Sequence, residues 1–94
     1  MLFRSILAAV SERFGVRPET LVGKRRTQAI ALPRQVAMYL CRTLSGETLQ
    51  QVAEKFNKKD HTTVMAAERR VRRLMSDDPQ VSAAVATLTA RLSP

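Results

Sequence analysis

One short stretch decides the fold of this chain: Asn57-Lys58-Lys59-Asp60-His61-Thr62-Thr63-Val64. On either side of it, apolar residues recur at helical spacing: Leu49, Val52, Ala53 and Phe56 before it, and Val64, Ala67, Val71 and Leu74 after it. Only the four residues 57–60 are left to connect the two helices, and a turn of about 3–4 residues between helices is typical of a helix-turn-helix unit. In such a unit the first residues of the second helix contact base edges in the major groove of DNA. We therefore predict a recognition helix that begins near His61.

The composition is that of a small, basic domain. With 94 residues, the chain is expected to form a single domain over residues 1–94, with its helix-turn-helix at about 48–75. A net charge of +8 implies a polyanionic partner, with double-stranded DNA as the first candidate and an anionic membrane surface as the second. Aromatic residues are only 4% of the chain, which argues against a single-strand binder that stacks bases on aromatic rings.

The sequence offers no catalytic, metal or cofactor site. It holds one cysteine, Cys41, and one histidine, His61, so neither an internal disulfide nor a Cys/His metal site is expected. His61 lacks a converging nucleophile or carboxylate, so we predict a non-enzyme without a small-molecule substrate. Gly23-Lys24 is not a phosphate loop, because Pro18 and Arg25 stand where that motif needs Gly and Ser or Thr. No run of about 18 apolar residues is present, so no membrane-spanning helix is expected. The single cysteine suits a reducing cytosol, and with DNA as partner the expected location is cytoplasmic and nucleoid-associated.

Apolar spacing predicts an all-α fold, a helical bundle of about five helices with one additional short turn at Pro18–Val22. The helices are expected at about residues 2–14, 30–45, 49–56, 61–75 and 79–92. Pro33 should lie in the first turn of its helix or at a kink, because proline lacks a backbone donor. Cys41 falls inside an apolar pattern, which predicts a buried side chain.

Several helix ends carry capping signals. Gly15 is expected to end the first helix. Thr48 and Gln51 have the spacing of a capping box, and Asp60 and Asp78 are expected to be N-caps of the helices that follow them.

Three cationic or polar features outside the recognition helix are candidate DNA contacts. The segment Lys24–Gln28 is either a solvated charged loop or an arm that enters the minor groove. Arg34 and Arg42 lie two turns apart on one helix face, which suits phosphate contacts and equally suits surface arginines. The helix start at Thr48 and Leu49 presents backbone N–H groups that suit a phosphate.

The start of the recognition helix holds the candidate base contacts. Asp60 suits two roles, a helix cap and an acceptor for a cytosine amino group. His61 is expected to contact bases rather than to catalyse. Thr62 and Thr63 can hydrogen-bond to bases and offer methyl groups to thymine, and their modest helix propensity favours a contact role over a stabilising one.

Two blocks of sequence resemble the C-terminal DNA-binding domain (domain IV) of the bacterial chromosomal replication initiator DnaA. The blocks comprise Val52–Phe56, Lys59–Val64, Ala67 and Arg69–Val71, preceded by Lys24–Arg26 and Pro33–Leu40. Their order and spacing match that family, and the resemblance runs from about Ile6 to Val71.

The resemblance implies sequence-specific binding of double-stranded DNA at replication origins, at sites like the DnaA box. It assigns base contacts to Arg26 in the minor groove and, in the major groove, to Asp60, His61, Thr62 and Thr63. Together with the features above, the expected contacts to the DNA backbone are Lys24, Arg25, Arg34, Gln35, Arg42, Thr48, Leu49, Lys58, Lys59 and Arg69.

The sequence departs from the family pattern at two places: Lys58-Lys59 replaces the commoner Gly-Arg, and Gln28 stands where many members carry a basic residue. ATP is expected only in a separate ATPase domain, if the parent protein is a full-length initiator. Two alternatives remain open from the sequence, a free-standing DnaA-like transcriptional regulator and a docking domain for proteins that regulate initiation.

Overall fold

Six helices make up the part of the chain that the computed structural model describes, residues 2–24 and 27–93. In chain order they are α1 (Leu2–Phe14), α2 (Pro18–Leu21), α3 (Gln28–Ser45), α4 (Leu49–Lys55), α5 (His61–Asp77) and α6 (Pro79–Leu92). No strand occurs in these residues, so the predicted all-α bundle with a helix-turn-helix is confirmed.

Helix α3 lies at the centre of the bundle and packs against every other helix. It buries Val36, Leu40 and Cys41 completely, so its apolar face follows the predicted 3.6-residue period. Burial raises the pKa of the Cys41 thiol to about 12, in keeping with a small hydrophobic core residue. Phe56, at the end of α4, is also fully buried and meets the Phe3 ring edge-on with ring centroids 5.5 Å apart. These contacts fix the first helix of the helix-turn-helix against the core.

The predicted helix caps are all present. Thr48 accepts a hydrogen bond from the Gln51 N–H at 3.1 Å, and the Gln51 side chain accepts one from the Thr48 N–H at 2.9 Å. Asp78 accepts from the N–H group of residue 80, and Pro79 begins α6 as predicted. Gly15 ends α1 with φ of 68°, a conformation that costs glycine little.

Helix α3 begins earlier than predicted, at Gln28 rather than near residue 30. Pro33 therefore lies in the second turn of α3, which excludes the first-turn alternative, and the alternative of a kink at Pro33 stays a prediction. The N-cap residue, Thr27, is extended and makes no side-chain capping bond, unlike Thr48 at the start of α4. The basic loop is correspondingly shorter, because Gln28 belongs to the helix.

Helix α6 closes the bundle by packing on α5, α1 and α3. It buries Val81, Val85 and Leu88, and its Arg91 pairs with Glu12 of α1 at 3.0 Å. Helix α6 therefore supports the bundle through its apolar face. None of the described helices has the length and apolar character needed to cross a membrane.

Candidate nucleic-acid interface

The turn between α4 and α5 places the start of the recognition helix. After Phe56, Asn57 adopts a left-handed conformation with φ of 58°, and the Lys58 N–H donates to the Ala53 carbonyl at 2.8 Å. This bond satisfies a carbonyl near the end of α4 and reverses the chain direction, as αL residues do at helix C-termini. Since Phe56 is buried, the turn and the first residues of α5 are held at a fixed position on the surface.

The first turn of α5 is exposed and capped. Asp60 accepts a hydrogen bond from the Thr62 N–H at 2.9 Å, which confirms the predicted N-cap. Hydrogen bonds from Thr62 hold the pKa of the Asp60 carboxyl below its ordinary value. His61, Thr62 and Thr63 are all exposed, while Val64 directly after them is fully buried. The side chains of His61 and Thr63 are therefore accessible to a partner, while the Thr62 side chain also hydrogen-bonds to Asp60.

The beginning of the basic loop lies beside this turn. Lys24, Lys58 and Lys59 line one surface depression with Asn57, Asp60 and Thr63. We call Lys24 together with residues 57–63 the recognition edge. Lys24 and Lys59 are exposed and form no ion pair with the described residues. The predicted contacts of Arg25 and Arg26 lie outside the described residues.

A second depression adjoins the recognition edge between α3 and α5, and it is lined by Ala31, Arg34, Gln35, Met38, Lys58, Thr63 and Ala67. The Oε1 atom of Gln35 is buried there and has no hydrogen-bond partner among residues 2–24 and 27–93. Gln35 thus brings an amide group close to Thr63 from a different helix. Its predicted contact with the DNA backbone stays a prediction.

Arg34 does not lie on an exposed helix face. It is only 7% exposed, and Met38, one turn further along, is 1% exposed. The guanidinium donates from Nε to the Leu21 carbonyl at 2.8 Å and from Nη2 to the Thr20 carbonyl at 2.9 Å. The Arg34 guanidinium therefore holds the end of α2, and Arg34 also lines the depression that contains Lys58 and Thr63. Its predicted contact with the DNA backbone stays a prediction.

Arg42 is held in a group of ion pairs at the junction of α3, α4 and α5. Its Nη1 atom donates to the Glu47 carbonyl at 2.7 Å, and its Nε atom lies 3.4 Å from a Glu68 carboxylate oxygen. Lys55 pairs with the Glu47 carboxylate at 2.6 Å, and we call these four residues the charged corner. Both glutamate side chains are 14% exposed, so the charge of Arg42 is compensated within the fold.

Similarity to known proteins establishes the family of this chain. Residues 3–71 match the family described as bacterial dnaA protein helix-turn-helix. The chain belongs to this family. Its residues 3–71 include α1 through most of α5, so both the helix-turn-helix and the helices that support it are covered.

Curated relatives of the DnaA family show the same relationship. The chain is 41% identical over 87 residues to the chromosomal replication initiator protein DnaA of Caulobacter sp. (strain K31), covering 93% of this chain and 18% of the relative. It is 40% identical over 83 residues to DnaA of Thermus thermophilus, covering 88% of this chain and 19% of that protein. The chain thus spans about a fifth of the length of these relatives.

A solved structure has the same fold. The crystal structure of a DNA replication initiation factor superposes with a TM-score of 0.83 at 30% identity, covering 97% of this chain and 27% of that one. The resemblance noted in the sequence, to the DNA-binding domain of DnaA, is therefore confirmed.

The remaining predicted contacts with the DNA backbone lie at two places, the start of α4 and the exposed face of α5. In the capping box the Thr48 hydroxyl oxygen accepts from the Gln51 N–H and the Thr48 N–H donates to the Gln51 side chain. The Thr48 hydroxyl hydrogen and the helix start at Leu49 are therefore the parts available for that prediction. Arg69 is exposed on α5, with its Nη2 atom 3.5 Å from the Met65 sulfur. Neither contact is tested by the fold itself, and both stay predictions.

The structure adds Arg70 to the candidate contacts. It is exposed and lines a depression with Thr27, Gln28, Ala31 and Leu32, at the start of α3 where the basic loop ends. The sequence signal for Arg70 is its spacing, because it follows Thr63 by seven residues, or two helical turns, and so shares its face. The resemblance points instead to Arg69, which lies one residue away on the helix surface.

Proposed function

We propose that this chain binds double-stranded DNA sequence-specifically at DnaA-box-like sites, as the DNA-binding domain of a replication initiator. The observation that carries the proposal is the recognition edge, in which exposed Lys24 and Lys59 flank an exposed, polar first turn of α5. A polar helix start of this kind fits the major groove, and flanking cations hold the phosphate backbone on either side. Membership of the DnaA helix-turn-helix family supports the same role.

Each part of the recognition edge has a distinct role in this proposal. His61, Thr62 and Thr63 contact bases, because they are exposed at the helix start. Asp60 caps the helix and leaves one carboxylate oxygen for a cytosine amino group, since its Oδ1 accepts the Thr62 N–H. The basic loop that begins at Lys24 is assigned to the neighbouring minor groove, where Arg26 is the proposed base contact.

The proposed function is binding without catalysis. Within residues 2–24 and 27–93, no three His, Cys, Asp or Glu side chains converge to hold a metal ion. The helix-turn-helix family corresponds to the DNA-binding part of DnaA, and the proposal leaves ATP binding to other parts of the longer relatives. Proteins that regulate initiation remain candidate partners, and no feature of the described surface selects one of them.

The direct test is competition binding with two labelled duplexes, one carrying a DnaA box and one of the same composition with the box scrambled. We expect the box to be preferred by about a thousandfold or more at fixed salt, as for specific DNA-binding proteins. Equal affinity for the two duplexes would contradict the proposal.

Salt dependence tests the docking mode independently. With about six phosphate contacts, the slope of log affinity against log salt should be about −5. The matched control is Arg91→Ala, which removes one cation from α6 and should leave the slope unchanged. A slope shallower than about −2 would argue against docking through the basic face.

A further inference from the structure

Three successive backbone carbonyls at the end of α2 are held by side chains from other elements. Arg34 of α3 donates to the carbonyls of Thr20 and Leu21, at 2.9 and 2.8 Å. Asn57 of the α4–α5 turn donates from Nδ2 to the Val22 carbonyl at 2.9 Å. Carbonyls at the end of a helix lack intrahelical donors, and a four-residue helix such as α2 has little stability of its own. The position of this segment is therefore set by its partners.

Asn57 meets two separate requirements. It is the single non-glycine residue with positive φ among the described residues, a conformation that asparagine tolerates better than most side chains. Glycine would satisfy that backbone requirement equally well or better. Asparagine adds an amide donor that reaches a carbonyl 35 residues earlier in the chain. The side chain thus supplies a contact that the turn alone does not need.

The Val22 carbonyl that accepts from Asn57 lies just before the basic loop. Val22 precedes Lys24 by two residues, and Lys24 shares its surface depression with Asn57, Lys59 and Thr63. The hydrogen bond from Asn57 consequently joins the two segments of the recognition edge, the loop and the turn that precedes α5. A loop and a helix that bind adjacent grooves of one duplex must keep a fixed spacing, because misplacement of a supporting residue loosens every contact that depends on it.

We propose that Asn57 is a positioning residue for DNA recognition, whose side-chain amide ties the helix-turn-helix to the basic loop and sets the spacing between them. This inference rests on the proposed function, since it assigns the loop and the helix to the same DNA site. Arg34 holds the preceding two carbonyls from the core side. Loss of the Asn57 amide should therefore loosen the loop without releasing α2.

The decisive variant is Asn57→Gly, which keeps the left-handed turn and removes only the tether. We expect its melting temperature to stay within a few degrees of the parent value, because glycine suits the turn. Its affinity for the box duplex should fall about tenfold, which is within the range for one lost base contact, while its affinity for the scrambled duplex should change little. Asn57→Asp is the second variant, since aspartate also tolerates this conformation but its carboxylate cannot donate to Val22. The added negative charge of this variant should lower its affinity for both duplexes by the same factor. The ratio of the two affinities therefore measures only the effect of losing the hydrogen bond to Val22.

A double-mutant cycle with Arg26→Ala separates positioning from direct contact. If Asn57 acts through the loop, Asn57→Gly should reduce box affinity less than about twofold once Arg26 is absent. Independent, additive losses would overturn the inference by making Asn57 a contact in its own right. Unchanged preference for the box in both Asn57 variants would also overturn it, with the proposed function intact. Failure of the parent protein to prefer the box would overturn the proposed function and this inference with it.

Discussion

The recognition edge and the charged corner both carry lysine or arginine, but their cations have different partners. In the charged corner, Arg42 and Lys55 each lie within 4 Å of a glutamate carboxylate. At the recognition edge, Lys24 and Lys59 are exposed and form no such pair with the described residues. The net charge of +8 therefore does not mean that eight cations are available to bind DNA phosphates. What a basic residue can do for DNA binding depends on whether the fold already compensates its charge.

This comparison leads to four tests, taken in order of their expected effect on folding stability. The first concerns Arg34, the basic residue most deeply incorporated in the fold. Arg34→Ala removes two hydrogen bonds to the end of α2 and leaves the carbonyls of Thr20 and Leu21 without these donors. We expect a loss of about 2–4 kcal/mol in the free energy of unfolding, measured by chemical denaturation. A loss below about 0.5 kcal/mol would mean that the guanidinium stabilises nothing and is held for a partner instead.

The second test compares the effects of replacing Arg42 and Lys59 on stability and on the salt dependence of DNA binding. Arg42→Ala should lower the free energy of unfolding by about 1 kcal/mol, a figure discounted for its partial exposure, because it leaves Glu68 with one fewer cationic partner. Lys59→Ala should leave stability unchanged and reduce the salt slope of DNA binding by about 1. The measurements are chemical denaturation and binding at several salt concentrations for both variants. An equal reduction of slope in Arg42→Ala would show that the charged corner also faces the DNA backbone.

The third test uses the pH dependence of the Asp60 cap. The pKa of Asp60 is lower in the folded chain than its ordinary value of 3.8, so its stabilising contribution is present above that value and is lost as pH falls through the folded-state pKa. Asp60→Ala should therefore melt a few degrees below the parent near pH 7, and the difference should shrink as the pH falls below 3.8 and through the lowered folded-state pKa of Asp60. The measurement is a pair of thermal melts at each pH. A difference that persists unchanged at low pH would show that the carboxylate charge is not what caps α5.

Features set by neighbouring residues were predictable from the sequence, and features set by distant ones were not. The capping pairs span two or three residues, so Asp60, Thr48 and Asp78 carry their signals locally. The apolar period of α5 likewise fixes which of its residues face the core. Arg34 reaches carbonyls 13 and 14 residues earlier, and Asn57 reaches one 35 residues earlier, so no local pattern reveals these contacts.

In the candidate site, too, some features depend on neighbouring residues and were predictable, and others depend on distant residues and were not. Exposure of the first turn of α5 follows from the apolar spacing after it, and the structure agrees. The juxtaposition of Lys24 with that turn depends on how α2 packs, which only the folded chain shows. The start of α3 was predicted about two residues too late, because Pro33 favours a helix that begins shortly before it.

The fourth test addresses the central claim, that the first turn of α5 reads DNA bases. Thr63 is exposed, and alanine is the better helix former, so Thr63→Ala should cost the fold almost nothing. Its loss should nevertheless reduce discrimination between box and scrambled duplexes by about 1–3 kcal/mol. The measurement is competition binding on the two duplexes beside a thermal melt of the same protein. The account predicts a narrowed preference for the box at an unchanged melting temperature. A sharply lowered melting temperature with the preference intact would contradict it, because the Thr63 hydroxyl would then be structural.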